Sequence, residues 1–127
     1  MSTKILNPSI YSPGSDITGQ ATADVTARRF LRISGNRTAK GVIAVAHATA
    51  AGRVCGVSGD TALNGELVRV VRGNSRCVWI TADGAITAGA EVEVGTAGKA
   101  KAKASGVAVG YAINGAADGA DAEISLY

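Results

Sequence analysis

The chain has few of the residues that usually carry chemistry. Its 127 residues include one histidine, two cysteines, two prolines and only 4% aromatic residues. Catalysis needs a proton-transfer group close to a nucleophile or a bound water. His47 lies among alanines with no carboxylate near it in sequence, and no serine stands in a G-x-S-x-G nucleophile elbow. We therefore interpret His47 as a histidine on a strand face, and we expect no enzymatic activity.

The cysteines and the acidic residues do not predict a metal site. No cysteine or histidine lies close enough in sequence to Cys55 or Cys77 to complete a zinc site. The two cysteines could form a disulfide across neighbouring strands, but a reducing cytosol favours two buried thiols. Asp83, Glu91 and Glu93 lack EF-hand spacing, and paired surface acids explain them better. No metal and no cofactor is expected.

Long apolar runs are also absent from the sequence. None approaches the roughly 20 residues that a membrane helix needs, and the N-terminal MSTKILNPS lacks the apolar core of a secretory signal. We therefore expect no membrane partner and synthesis in the cytosol.

Large apolar side chains are scarce as well. Much of the 46% hydrophobic content is alanine, which buries little area at roughly 25 cal/mol per Å². A lone monomer with such a core would be only marginally stable. Burial between subunits is the ordinary remedy, so we expect a homo-oligomer or a large partner.

What the sequence does contain is glycine between short β-type runs. The 17 glycines predict many tight turns, and the valine and isoleucine content between them is too high for a disordered linker. From Val78 to Gly110, β-type residues alternate with small ones at a period of two. The predicted strands are 25–34, 41–51, 53–57, 66–72, 76–81, 91–94, 99–104, 106–113 and 122–126.

These strands predict an all-β fold, a small antiparallel β-barrel or sandwich of short strands with an extended N-terminal arm. Lysines at every second position, Lys99, Lys101 and Lys103, are typical of an exposed strand face or sheet edge. A weak internal echo links 65–70 to 89–94, since both place a glycine before a Val-x-Val strand. Duplication and convergent turn chemistry explain this echo equally well.

The first 24 residues differ from the rest of the chain. They contain both prolines and few large apolar residues, and proline disfavours regular structure before and at its own position. We predict an extended arm over residues 1–24 and a β domain over residues 25–127. A frayed terminus without a role is the alternative. Against it, the arm contains four apolar residues that a solvating tail would not need: Ile5, Leu6, Ile10 and Tyr11.

Charge is unevenly spread along the chain. Basic residues dominate positions 25–77, and acidic residues are concentrated after position 80. Opposite-sign faces suit self-association or docking on a charged surface, and a solvated mixed surface is the alternative. Arg28, Arg29 and Arg32 next to Phe30 could grip a single-stranded nucleic acid, but one aromatic there is too few, so no nucleic-acid partner is expected. Trp79 is expected in the core or in a subunit interface.

One stretch of the sequence carries a family resemblance. Residues 79–90, WITADGAITAGA, resemble the V-x-A-x-G-A-I-T-A-G-A-x-V core of the capsid decoration (cement, or head-stabilising) proteins of tailed bacteriophages. GELVRV at 65–70, GVAVGYA at 106–112 and AEISL at 122–126 are similar to that family's flanking elements, in the same order. The resemblance covers about residues 41–127, and neither the arm nor the arginine-rich strand shows a family pattern.

The resemblance implies a trimeric β domain bound to the major capsid protein on the outer surface of the virion. It implies a structural role without an active site, in which binding stabilises the assembled head. On this hypothesis the arm and the arginine-rich strand contact the capsid, through Ile5, Leu6, Ile10, Tyr11, Arg28, Arg29 and Arg32. Two alternatives remain: a small β module of a head fibre that recognises glycans or a host surface, and a biotinyl- or lipoyl-type barrel, for which the lysine ladder lacks the flanking methionine.

Overall fold

The protein is described by a computed structural model over residues 4–127, and the regular structure in this range is almost entirely β. A single 3-10 turn at Thr96–Gly98 interrupts the strands. The strands are β1 Ile17–Ala21, β2 Phe30–Gly35, β3 Ile43–His47, β4 Gly56–Ser58, β5 Leu67–Val71, β6 Cys77–Thr81, β7 Glu91–Val94, β8 Ala100–Ala102, β9 Gly110–Asn114 and β10 Asp121–Leu126.

The first five strands form a closed barrel in the order β1-β3-β2-β4-β5. The pairing of β1 with β3 is parallel, and the other pairings in the barrel are antiparallel. Closure leaves none of the five strands with an unpaired edge. The predicted all-β fold is therefore confirmed, with one parallel pairing inside it.

The last five strands form a second sheet in the order β6-β10-β9-β7-β8. The two end strands of this sheet, β6 and β8, approach each other at a bridge between Ala82, which follows β6, and Ala100 of β8. The Asp83 N–H donates there to the Ala100 carbonyl at 2.7 Å. The sheet is thus curled almost into a second barrel. The lysine ladder lies on and beside β8, the end strand of this sheet, which confirms the predicted edge.

Each of the two sheets has its own core. The barrel is filled by small and medium aliphatic side chains, among them Leu31, Val45 and Val70. A larger core belongs to the second sheet: Ile80, Ala82, Ile86, Val92, Val94, Ala100, Ala112, Ala122, Ile124 and Leu126. Phe30 and Val57, from β2 and β4 of the barrel, pack in this second core. Alternation along β2 therefore sends Leu31 into the barrel and Phe30 out of it, and this joins the two halves.

The N-terminal boundary predicted at residue 24 needs correction. β1, at Ile17–Ala21, is a barrel strand that pairs with both β3 and β5. The sequence of β1, ITGQA, has few large apolar residues, so its pattern did not predict a strand. Its central residue is a glycine because the side chains of Val45 and Val70 lie directly against Gly19. Within the described residues, the segment before the first strand ends at residue 16.

The weak internal echo corresponds to one structural unit used twice. In both copies the glycine N–H donates to a neighbouring strand, and the next N–H closes a turn onto the carbonyl three residues earlier. The glycine bonds join Gly65 to Ala21 at 2.8 Å and Gly89 to Ala112 at 2.7 Å. The turn bonds join Glu66 to Leu63 at 2.9 Å and Ala90 to Thr87 at 3.1 Å. Both glycines have positive φ, which explains why this residue recurs before β5 and β7.

Candidate functional site

The end of the N-terminal segment is fixed to the barrel by arginines. The Tyr11 ring centroid lies 5.5 Å from the guanidinium carbons of both Arg37 and Arg72. Arg37 also donates to the Tyr11 hydroxyl at 3.0 Å, and Arg72 donates to the Ser12 carbonyl at 2.7 Å. Tyr11 was predicted as a capsid contact; in the structure its ring is held by cation–π contacts within the chain.

Further contacts continue this attachment up to the first strand. Asp16 forms ion pairs with Arg76 at 2.7 Å and with Arg69 at 3.4 Å. The backbone of Gly14 passes so close to Gly73 that a Cβ on Gly73 would lie 2.9 Å from the Gly14 Cα. Residues 11–16 are therefore the attachment point of the arm, and the arm proper comprises the residues before Tyr11.

Within the described part of the arm proper, residues 4–10, the three large apolar side chains are almost fully exposed. Ile5, Leu6 and Ile10 are 96%, 81% and 79% exposed. An exposed apolar segment on a firmly attached base is typical of an element that is covered by a partner. Among the predicted contact residues, these three have side chains free for such a role.

Arg28 links the barrel to the second sheet. Its backbone is left-handed, with a φ of 65°, and its guanidinium carbon lies 5.2 Å from the Trp79 ring centroid. The same guanidinium forms an ion pair with Asp121, which also accepts a hydrogen bond from Thr81 Oγ1 at 2.8 Å. Trp79 is 54% exposed, so its predicted place in the core is wrong, and the predicted place in a subunit interface stays a prediction.

The Asp121 cluster predicts a specific pH dependence. Partial burial alone would raise the pKa of Asp121, but hydrogen bonds from Thr81 and Arg28 outweigh burial, so its pKa lies below the ordinary value. A lowered pKa stabilises the folded state fully above the unfolded pKa of about 3.9, and this contribution is lost as pH falls through the folded value.

We expect Asp121→Asn to lower the free energy of unfolding by about 0.5–1 kcal/mol at neutral pH. The difference from the original chain should vanish at a pH below the folded pKa, because both side chains are then uncharged. Urea unfolding of both chains, at neutral pH and at a pH below the folded pKa, measures this difference in the free energy of unfolding. An equal loss at both values would contradict the role assigned to the carboxylate.

Arg29 and Arg32, predicted to act together with Arg28, lie in different surroundings. Arg29 donates to the Ala97 carbonyl at 3.2 Å. Arg32 lines a groove with Thr49 and Arg53. The structure therefore brings no three-arginine patch together on β2, because Arg28 and Arg29 precede the strand and only Arg32 lies within it.

His47 is held by the backbone at the end of β3. Its Nε2 accepts the Thr26 N–H at 2.9 Å. Burial and the neighbouring charge of Arg29 lower the pKa of His47, so the ring is neutral at pH 7 and accepts at this nitrogen. This is the strand histidine that the sequence predicted.

Two adjoining grooves lie beside the junction of barrel and sheet. The larger, of about 430 Å³, is lined by Arg53, Val54, Cys55, Gly56, Arg72, Gly73, Val107, Ala108, Val109, Leu126 and Tyr127. The smaller, of about 370 Å³, is lined by Arg32, Ile33, Thr49, Arg53, Val54 and Cys55. Since Arg53, Val54 and Cys55 belong to both, the two grooves adjoin and share a wall. No local sequence pattern indicates these grooves, because their walls come from five distant segments.

The two cysteines are free thiols in different environments. Cys55 is partly buried, whereas Cys77 is exposed, so the prediction of two buried thiols is wrong for Cys77. Cys77 follows Arg76 at the start of β6 and faces outward on the end strand of the second sheet. Burial raises the pKa of Cys55 to about 11.

This difference predicts sequential thiol labelling. The thiolate is the reactive species, so at about pH 8 Cys77 should react with a disulfide reagent first and Cys55 far more slowly. Time-resolved titration with Ellman's reagent measures the two phases, and a Cys77→Ser variant assigns them. Two thiols that react at one rate in the folded protein would contradict the assigned environments.

The outward face of the second sheet exposes aromatic residues that the sequence did not single out. The rings of Tyr111 and Tyr127 lie 6.2 Å apart, and both are exposed, like Trp79. The Tyr127 hydroxyl donates to Glu91 Oε2 at 2.7 Å, and this bond raises the pKa of Tyr127. The strand register could have indicated that these side chains share one face. Ser125 on β10 pairs with both Cys77 on β6 and Tyr111 on β9, and paired residues point to the same side of a sheet.

Residues 4–127 contain neither a metal-binding cluster nor a membrane-spanning helix. Within that range no group of three or more histidine, cysteine or acidic residues is arranged to hold a metal ion. No helix in the described part of the chain has the length and apolar character that crossing a bilayer requires.

Comparison with known proteins bears on the fold. The crystal structure of the head fibre gp8.5 N base of bacteriophage phi29 aligns with 89% of this chain and 93% of its own, with a TM-score of 0.75. The chain shares that fold. Sequence identity over the alignment is 22%, a level that supports the architecture alone. No family model and no curated protein matches the chain, so membership of the decoration family remains a prediction.

Proposed function

We propose that the chain is a structural protein of a bacteriophage head, bound to the outer surface of the assembled capsid as a decoration protein. The observation that carries this proposal is the similarity, over nearly the full length of both chains, to a phage head fibre base. The motif resemblance over residues 41–127 points to the same particle from the sequence alone. A fold can host many functions, and the agreement of these two independent signals is what favours this one.

The proposed mechanism is stabilisation by binding. A protein that binds the expanded, assembled lattice better than other states shifts the equilibrium toward that lattice. No catalytic step is needed, and we propose none. The partner is the major capsid protein, and the chain acts as a homo-oligomer, a trimer by the family resemblance, without nucleic-acid or membrane partners. It is made in the host cytoplasm before it joins the virion.

The arm provides the proposed attachment. Ile5, Leu6 and Ile10 are exposed apolar side chains on a segment whose end is fixed by Tyr11 and Asp16. Burial of three such side chains against the shell contributes favourably at roughly 25 cal/mol per Å². The fixed base reduces the conformational entropy that the arm loses on binding.

The second candidate is a base or binding module of a head fibre. Two observations favour it: the similar structure is itself a fibre base, and Trp79, Tyr111 and Tyr127 are exposed on one sheet. Aromatic rings with a polar edge suit contact with a partly apolar ligand such as a glycan.

Mass spectrometry of purified virions tests what the two candidates share, since both require the chain in the particle. A glycan-array screen of the purified chain separates them: a strong hit favours the fibre module, and no hit favours the decoration protein. Absence of the chain from virions would contradict both candidates.

A further inference from the structure

The two adjoining grooves beside the barrel–sheet junction have an unusual charge pattern. We call the pair the arginine groove and define it by Arg32, Arg53 and Arg72 together with the apolar residues Val54, Val107, Val109 and Leu126. No aspartate or glutamate is among the residues that line it. A strip of like charges without counter-charges is repulsive within the folded chain and attracts an anionic partner.

The arginines of this groove differ in how far the chain engages them: Arg72 donates to the Ser12 carbonyl, and over the described residues the other two make no such bond to the N-terminal segment. The Nε atoms of Arg32 and Arg72 are buried without a hydrogen-bond partner among residues 4–127. Arg53 is exposed and lines both grooves. Guanidinium groups bind carboxylates through paired, charge-assisted hydrogen bonds, so Arg53 offers donors that a carboxylate-bearing partner can reach.

The wall between the arginines is aliphatic. Val107 is 58% exposed, and Val54 and Val109 are only partly buried against the core. A simple anion would leave these side chains uncovered. An extended segment covers both features, because its successive side chains point to opposite sides and acidic and apolar residues can alternate at a period of two.

We propose that the arginine groove binds an extended segment of a partner protein in which acidic and apolar residues alternate. This inference rests on the proposed function in one respect: if the chain binds the phage head, the segment belongs to the capsid protein. The chain's own arm is a poor occupant, because its residues 4–10, KILNPSI, contain a lysine and no acid. A nucleic acid is disfavoured because Tyr127 is the single aromatic residue of the lining, and strand binding uses stacked aromatics.

The test uses two synthetic peptides and the full chain. One twelve-residue peptide alternates glutamate with valine and leucine, and its partner has lysine at each glutamate position. Titration of the isotope-labelled chain, followed by amide shifts in NMR spectra, locates and quantifies binding. The glutamate peptide should shift residues of the arginine groove and bind at least about tenfold more tightly than the lysine peptide, since like charges in contact are repelled.

Charge reversal provides the matched control. Arg53→Glu should weaken the glutamate peptide about tenfold and strengthen the lysine peptide, whereas Lys40→Glu, an exposed reversal outside the lining, should change neither. Well-dispersed spectra verify that both variants fold. Equal affinity for the two peptides, shifts outside the groove, or tighter binding of a twenty-nucleotide poly-dT than of the glutamate peptide would each overturn the proposal.

Head binding separates this inference from the proposed function. If the peptide results fail while the chain is found on purified virions, the groove proposal falls and the proposed function stands. If the glutamate peptide binds as expected while the chain is absent from virions, the groove stands as a protein-binding site and the proposed function falls.

Discussion

Replacing Phe30 by alanine is expected to lower the free energy of unfolding by about 3–5 kcal/mol, the usual cost of emptying a buried aromatic site. Phe30 is fully buried, and it belongs to a barrel strand while packing in the core of the second sheet. Its removal therefore leaves a cavity where the two halves meet. Against a total stability of about 5–15 kcal/mol for a typical domain, this is a large fraction.

Urea unfolding at a fixed protein concentration measures the loss, and Ile33→Ala on the same strand is the matched control. Ile33 is 52% exposed, so its truncation should cost less than about 1 kcal/mol. Similar losses for the two variants would contradict the assignment of Phe30 as the side chain that joins barrel and sheet. Two separate unfolding transitions in Phe30→Ala would support it, since each half retains its own core.

Removing residues 1–10 is expected to abolish binding to phage heads while the rest of the chain stays folded. The truncation ends before Tyr11, so the arginine contacts of Tyr11 and Asp16 are kept. The loss then reports on the exposed apolar arm and not on damage to the barrel. Co-sedimentation of the purified chain with heads that lack it gives the bound fraction, and circular dichroism verifies the fold.

A full-length variant controls for chain length in this experiment. Ile5→Ser, Leu6→Ser and Ile10→Ser combined retain every backbone atom of the arm and remove its apolar side chains. This variant should bind at least about a hundredfold more weakly, because burial of each apolar side chain contributes about 1.5–3 kcal/mol and serine lacks this contribution. Binding by the truncated chain as tight as that of the full chain would refute a role for the arm in attachment.

Much of the fold was accessible from the sequence because the turn residues are explicit. Glycines with positive φ, such as Gly65 and Gly89, precede strands where the pattern predicted them. The lysine ladder likewise marked β8 as an edge, since a charged face on a strand protects it from further pairing. The weak internal similarity between residues 65–70 and 89–94 also corresponds to structure, because both turns form the same two backbone hydrogen bonds.

Other features depended on long-range contacts that no local pattern encodes. β1 was missed because a glycine at its centre gives no hydrophobic signal and is required only by the close approach of Val45 and Val70. Trp79 was expected in the core or in an interface because it stands between Val78 and Ile80, yet alternation turns it outward under Arg28. Pattern alone cannot assign the inner face of a strand when large residues lie on both.

The candidate site was accessible only in part. The exposed apolar arm was visible in composition, because Ile5, Leu6 and Ile10 stand in an otherwise polar stretch. The arginine groove was not, since Arg32, Arg53 and Arg72 are about 20 residues apart in sequence and converge through the closure of the barrel. Of the arginines proposed from sequence, Arg32 alone lines this groove.

The most direct test of the account is a cryo-electron-microscopy difference map between heads with the chain and heads from a phage that lacks its gene. The account predicts extra density on the outer surface, matching the barrel and the curled sheet, with the arm lying on the capsid protein. Identical maps, or density inside the shell, would contradict it.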